Sequence, residues 1–527
     1  MHYRLSADPE LPYYIAVEAT LSAVAPHTVV ELQLPAWRPG RYELQHFAKN
    51  IQRFTITDET GQPLPFRKIT KDRWRVITKT GTLVIARYNF YSLLPAAHQL
   101  NAGSSFIDET LLYVNPVNLC LYVEGHINDP CTLDLAIPRS WTVACGLTRV
   151  DDSADTTGPV QLQATDFYEL VDCPLMAAPS LQHSQYEVQK TQFHVWIHGG
   201  WRTDNTPAFD TDRIVRDFTR FSAQQVAMYG EFPEGDYHFL TLVLPVAYYH
   251  GVEHRNSTVL VLGPADEGAG LYNDLLGVAS HELFHAWNII RIRPTELLPY
   301  DFTRENYFTT CFVAEGVTTY YGDLMLRRSG VFDDDAYLKE LQVVFKRHFE
   351  NNGRAFQSLT ESSWDLWLDG YEKGVPDRKV SVYHKGAIAA LILDLRIRRL
   401  TSHARSLDDV MRQMWTRFGK PFIGYTLDDY RTVAESVAGE SLTDYFDLCI
   451  FGNSALEEPL NETLAWVGLQ LVWESPTADL PGGIRLLDTG DAVGRAERVR
   501  WFGDVLTDPA DDHLIDPDKA GKNVVAK

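Results

Sequence analysis

Residues 280–288 read SHELFHAWN, so His281 and His285 stand four apart with Glu282 directly after the first. In an α-helix positions four apart lie on one face, a turn above one another. Two imidazoles so placed can hold one divalent zinc at about 2.0–2.1 Å each. Glu282 points to an adjacent sector, from which it can take a proton from a water at the metal and later give it to a leaving amine. With 17 histidines and about 35 glutamates in the chain, chance supplies on the order of 0.03 such motifs. A helix surface that happens to carry histidines is therefore the rarer explanation.

A catalytic zinc takes a third protein ligand and keeps one position open. The next helical stretch, RENYFTTCFVAEGVTTYYGDLML, holds one acidic residue between Asn306 and Gly322, and that is Glu315. Embedded among apolar neighbours, a lone carboxylate is costly unless paired or metal-bound. The competing reading pairs Glu315 with Arg291 or Arg293. Two histidines and a glutamate from two helices form the ligand set of a thermolysin-like metallopeptidase.

Outward from this region, the first 170 or so residues alternate with period two. IAVEATLS sets Ile15, Val17, Ala19 and Leu21 on one face, and VELQL, RFTIT and LVIARYNFYS continue the pattern between turns. This predicts an N-terminal antiparallel β-domain over 1–175. Helical spacing from Asp210 to Glu231, strands in HFLTLVLPVA and STVLVLG, and the motif itself predict a mixed α/β segment over 176–330, which the resemblance described below makes a thermolysin-like zinc catalytic domain. Beyond it a helical domain is expected over 331–457. Ser406–Asp409, Thr426–Asp429 and Ser441–Asp444 look like capping boxes in which Asp replaces Glu, marking helix starts. The fold class is thus multidomain α+β.

Bulk composition narrows the function. A length of 527 residues is too great for one core. The formal net charge of −22 argues against nucleic acid and anionic membrane partners. No apolar run approaches a spanning helix, and the start MHYRLSADPELPYY lacks the layout of a secretory signal. Six scattered cysteines without C-x-x-C suit a reducing compartment, so a cytoplasmic location is expected. Oligomeric state is not legible.

HELFHAWNIIRIRP, then DFTRENY, then AEGVTTYYGD resemble the zinc region of the glycyl aminopeptidases, metallopeptidases that often carry a C-terminal PDZ domain. WRPGRYELQHFA, YELVDCP, EHRNST and SSWDLW…VSVYHKGAIAALILDLRIR resemble the same family, so the likeness spans most of residues 30–450. It implies a relationship in fold to aminopeptidase N, one zinc ion per chain held by His281, His285 and Glu315, and Glu282 as general base. HGVEH, His250 to His254, stands where relatives of aminopeptidase N carry G-x-M-E-N, and departs from it at both ends. The match makes Glu253 the substrate-binding carboxylate that pairs with a free α-ammonium; the alternative is an ion pair with Arg255. Tyr383 in VSVYHKGA matches the tyrosine that donates to the tetrahedral oxyanion, with His384 as rival and a packed aromatic as alternative. Thr319, one turn after Glu315, is a candidate to orient a zinc-bound histidine. His194 and His198 are read as strand histidines and Trp364, Trp367, Tyr320 and Tyr321 as core or wall.

The C-terminus departs from the family. WVGLQLVWES can form a first PDZ strand, but the sequence beyond it is short and matches poorly. Residues 458–527 are therefore expected to be a degenerate or truncated PDZ-like segment with a frayed tail. The combined expectation is a zinc aminopeptidase acting on peptides with a free N-terminus, of small first residue (Gly or Ala), through a metal-activated water. An endopeptidase using the same zinc, or a non-catalytic zinc-containing scaffold, are the alternatives.

Overall fold

The computed structural model describes residues 1–22, 24–25, 27–78, 83–92, 103–150, 159–370, 374–375, 378–475 and 483–503. The N-terminal region is β-rich, as its alternation predicts. Its largest sheet has seven strands, with Val84–Tyr91 and Tyr14–Leu21 near one end and Cys131–Ala136 beyond His2–Ala7. Along Tyr14–Leu21 every second residue is buried, and Ile15, Val17, Ala19 and Leu21 all enter the core. One pairing departs from the expected antiparallel order: His2–Ala7 runs parallel to Cys131–Ala136. The two segments are far enough apart in sequence for the crossover that a parallel pairing needs. Two four-stranded sheets complete the region.

A five-stranded sheet follows, in the order Gln182–Val188, Thr191–Gly199, Asp236–Val243, Ser257–Gly263, Tyr248–Glu253. Its three central strands are parallel to one another, and Ser257–Gly263 is buried throughout, as a continuous apolar strand between layers should be. Tyr248–Glu253 is the edge strand, antiparallel to Ser257–Gly263. The helix Thr211–Tyr229 packs on the sheet between its cap signals: the Asp210 side chain accepts from the Arg213 N–H at 3.0 Å, and Gly230 closes it at φ +89°. The motif helix, Ala269–Phe284, lies beside it.

The remainder is mainly helical: Val317–Arg328, Asp334–Phe349, His384–Leu400, Leu407–Met414 and Leu427–Ala438 are its longer members. Ser406–Asp409 and Thr426–Asp429 form reciprocal capping boxes. Ser441–Asp444 does not. There Ser441 bonds Thr443, Asp444 is drawn to Arg396 at 2.7 Å, and the short helix Thr443–Tyr445 has no side-chain cap. An ion pair from a neighbouring helix outcompetes the local cap.

The C-terminal segment is more ordered than its turn-rich sequence predicts. Helix Glu457–Trp466 leads into a hairpin of Leu469–Glu474 with Gly483–Asp488, and then helix Ala492–Phe502. Trp501 is fully buried, and its Nε1 donates to the Tyr320 hydroxyl at 2.8 Å. Residues 504–527, the end of the expected PDZ-like segment and its tail, lie outside the described residues. No described helix is long and apolar enough to cross a membrane.

Candidate active site

The motif helix delivers His281 and His285 to one face, as their spacing requires. Their Nε2 atoms lie 3.1 Å apart, and Glu315 Oε2 stands 3.7 Å from the first and 3.3 Å from the second. Glu315 comes from a π-helical turn, Phe312–Gly316, that runs directly into helix Val317–Arg328. Such a wide turn, with one residue more than an α-turn, recurs at functional sites. Here it offers a buried carboxylate to two imidazoles.

The ligand-bearing segments are tied together by a residue that sequence reasoning missed. His285 Nδ1 donates to the Asn288 carbonyl at 3.0 Å, leaving Nε2 free to coordinate. The Asn288 side chain donates to the Val313 carbonyl at 2.8 Å and the Thr318 hydroxyl at 3.0 Å. One asparagine thus locks the second histidine and the turn that carries Glu315. The only signal was its place three residues after His285. The threonine beside His285 is Thr318, at 3.4 Å; Thr319 lines the cavity instead.

The residues fit a divalent cation. Two imidazole nitrogens and one carboxylate oxygen converge within 4.8 Å of one another, a donor set suited to zinc. Glu315 is not paired with Arg291 or Arg293. Arg291 lies 3.6 Å from Glu234, and Arg293 donates to the carbonyls of Ile289 and Ile290. Burial pushes the Glu315 carboxyl up, but the two imidazoles overcome it and hold the group below the ordinary range.

Glu282 and Glu253 face the same space. A carboxyl oxygen of each lies within 4.8 Å of the other and of a His285 nitrogen. Both are buried, and Glu282 Oε2 has no hydrogen-bond partner among the described residues. Burial pushes both carboxyls up. Each needs a glycine beside it. A Cβ at Gly251 would lie 2.6 Å from Glu282 Cδ, and one at Gly40, where φ is +76°, 2.8 Å from Glu253 Oε2. Gly40 belongs to the N-terminal loop WRPGRY, so the β-region closes one end of the site. Arg255 is not the partner of Glu253; it pairs with Glu234 at 2.9 Å and faces Glu169 at 3.7 Å.

Tyr383 sits just before helix His384–Leu400, and both Tyr383 and His384 line the cavity. That helix approaches because two glycines meet: a Cβ at Gly386 would lie 2.7 Å from Gly316 Cα. The cavity measures about 690 Å³ and brings together all six residues singled out from the sequence: Glu253, His281, Glu282, His285, Glu315 and Tyr383. His194 and His198 both belong to strand Thr191–Gly199, and His194 is stacked between His183 and His238. Trp367 is core and Trp364 is half exposed against Tyr307.

The family model for the peptidase M61 N-terminal domain matches residues 2–179, and that for the M61 glycyl aminopeptidase matches residues 274–389. Among solved structures, an aminopeptidase N family protein from Idiomarina loihiensis is similar at 29% identity and a TM-score of 0.82, over 91% of this chain and 81% of its own. An M1 zinc metallopeptidase from Deinococcus radiodurans is similar at 15% identity and a TM-score of 0.52, over 86% of this chain and 94% of its own. At that identity the likeness is one of fold. A mutant of that enzyme with a bound Tyr-Ser-Ala substrate gives a TM-score of 0.53 at the same identity and coverage. No curated protein matches the sequence.

Proposed function

This chain belongs to the M61 glycyl aminopeptidase family and is a metallo-aminopeptidase, and on that premise we propose that it removes small N-terminal residues, glycine or alanine, from peptides with a free α-amine. His281, His285 and Glu315 would hold one zinc ion. Zinc, when bound, supplies a Lewis acid for the scissile carbonyl and lowers the pKa of water. The remaining chemistry falls to side chains of this chain.

Glu282 is the general base. Its buried oxygen is an acceptor with no hydrogen-bond partner among the described residues, and this is the observation that carries the reading. It takes the proton of the attacking water and returns it to the leaving amine. Glu253 pairs with the α-ammonium; in a buried pocket that pairing fixes the distance from the chain end to the reacting bond. Tyr383, on the cavity wall, donates a hydrogen bond where negative charge develops on the carbonyl oxygen. The division into 1–175, 176–330, 331–457 and 458–527 remains our reading of the chain, with the second part thermolysin-like. The last part is a degenerate PDZ-like piece whose hairpin and helices serve packing. A cytoplasmic location, and no nucleic-acid or membrane partner, belong to the same proposal and rest on the unpaired thiols and the net charge of −22.

The test is Glu282→Gln. It keeps the shape and the metal ligands but cannot take a proton. Expected is retained metal content with turnover of Gly- and Ala-peptides down by about 10²–10⁴. Turnover that survives removes the base role.

A further inference from the structure

Strands Tyr248–Glu253 and Ser257–Gly263 are joined by only three residues, His254, Arg255 and Asn256. The His254 N–H closes this turn on the Ser257 carbonyl at 3.0 Å, and Glu253, the last residue of the edge strand, pairs in register with Thr258. Arg255 is turned to Glu234 at 2.9 Å and gives Glu253 no counter-charge. The Glu253 carboxyl is therefore placed by its own backbone, and whatever holds the turn holds the carboxyl.

All three turn residues are gripped by the N-terminal region. His254 Nδ1 lies 2.9 Å from Asp172 Oδ1, and the Arg255 N–H donates to Asp172 Oδ2 at 3.1 Å. Asn256 Nδ2 donates to the Gly146 carbonyl at 2.8 Å, and its Oδ1 accepts from the Cys173 thiol at 3.5 Å. Asp172 ends the short helix Phe167–Val171, and its two oxygens take a side chain and a backbone N–H from consecutive residues. A carboxylate only accepts, so Nδ1 of His254 carries the proton of that contact. His254 is 5% exposed, so the bond forms away from water, where leaving a partner unmet is costly. Neither Asp172 nor His254 is among the described residues that line the active-site cavity. The same N-terminal region brings Gly40 against Glu253 Oε2. One contact limits where the carboxyl oxygens can go; the other fixes the turn from which the side chain projects.

We infer that Asp172 and His254 are positioning residues for the substrate's α-amine: through this turn the N-terminal region sets where Glu253 meets the ammonium, although neither residue touches substrate. The inference rests on the amine role of Glu253 in the reading above and deepens it. A charge-assisted hydrogen bond depends on distance and angle, so a loosened turn weakens the hold on a free amine. The zinc ligands and Glu282 are carried by other elements and stay in place.

Asp172→Asn tests this without changing volume. Both Asp172 oxygens accept from N–H groups, so an amide must turn its own N–H toward one of the two donors and lose that contact. His254→Leu removes the side-chain donor, and His254→Asn restores one, because its Nδ2 stands where the imidazole carries Nδ1. The measurement is calorimetric binding of Gly-Leu-Ala and N-acetyl-Gly-Leu-Ala to the zinc-loaded full chain carrying Glu282→Gln, which leaves the peptides uncut. Expected for Asp172→Asn and for His254→Leu is a free-amine advantage reduced about fivefold. His254→Asn should recover it, and Asp172→Asn should take nothing more from a Glu253→Ala protein. Where His254→Leu fails to fold, Asp172→Asn decides alone. An advantage unchanged in Asp172→Asn would overturn the proposal by showing that the grip is dispensable, and an equal fall in affinity for both peptides would overturn it by showing that the grip serves folding alone. A free-amine advantage that survives Glu253→Ala overturns instead the amine role of Glu253 itself.

Discussion

Gly251→Ala separates the position of the general base from its presence. A Cβ at residue 251 would stand 2.6 Å from Glu282 Cδ and 2.7 Å from its Cγ, whereas ordinary contact begins at 3.4 Å. Glu282 Oε1 stands closer still, so the carboxyl must retreat by about 1 Å or more, because repulsion dominates at such contacts. The intruder meets the far part of a side chain and no backbone, so the fold can yield: an off-rotamer Glu282 costs about 0.5–1.5 kcal/mol. Catalysis is less tolerant, because a displacement near 1 Å in a reacting group costs about 10²-fold. Turnover of a Gly-peptide should fall by about that factor, with metal content retained and Tm changed by only a few degrees. In the Glu282→Gln background the same substitution should cost almost nothing more, since residues acting as a unit are non-additive. Full activity in Gly251→Ala would refute the reasoning, because it would mean Glu282 need not stand where the structure has it. An equal loss in both backgrounds would refute it too, by showing that the strand itself was displaced.

Glu253→Ala should lower kcat/KM for free-amine peptides by about 2 kcal/mol or more, roughly thirtyfold, while any slow cleavage of N-acetylated peptides is spared; equal loss on both removes the amine role. Tyr383→Phe should reduce kcat by about 10²-fold or more with little change in KM, which steady-state kinetics reads directly. Asn288→Ala keeps the backbone carbonyl that accepts from His285 but frees the turn bearing Glu315, so metal affinity should fall about 10–100-fold in a chelator competition, and unchanged affinity would show that the side-chain clamp is dispensable.

The meeting of His281 and His285 was legible because helical geometry converts spacing into position: the two need no tertiary knowledge to be placed together. Strand alternation in IAVEATLS was legible for the same reason. What escaped depends on neighbours distant in sequence. Nothing in WRPGRY says that Gly40 will admit Glu253, and nothing in HGVEH says that Gly251 makes room for Glu282. Thr319 was chosen by counting four on from Glu315 along an α-helix. Thr318 meets His285 instead, because that contact is set by how the two helices face each other and not by the turn count from Glu315. Ser441–Asp444 carries a sound local signal, lost to Arg396 from another helix. The one parallel pairing in the N-terminal sheet, and the docking of Trp501 on Tyr320, were likewise set by topology and not by any local pattern.

Where Gly316 faces Gly386, two helical segments meet backbone to backbone. A leucine core can drift over generations, one side chain shrinking as its neighbour grows, because both partners have atoms to exchange. This pair has none. Enlarging either residue drives a carbon into main chain, and no change at the other can make way. The joint that sets Tyr383 beside the ligand triad is thus frozen in a way most of the interior is not. Descendants of this enzyme that come to cut different peptides must find their novelty elsewhere, in the walls that bear on the substrate and not in the hinge between those two helices.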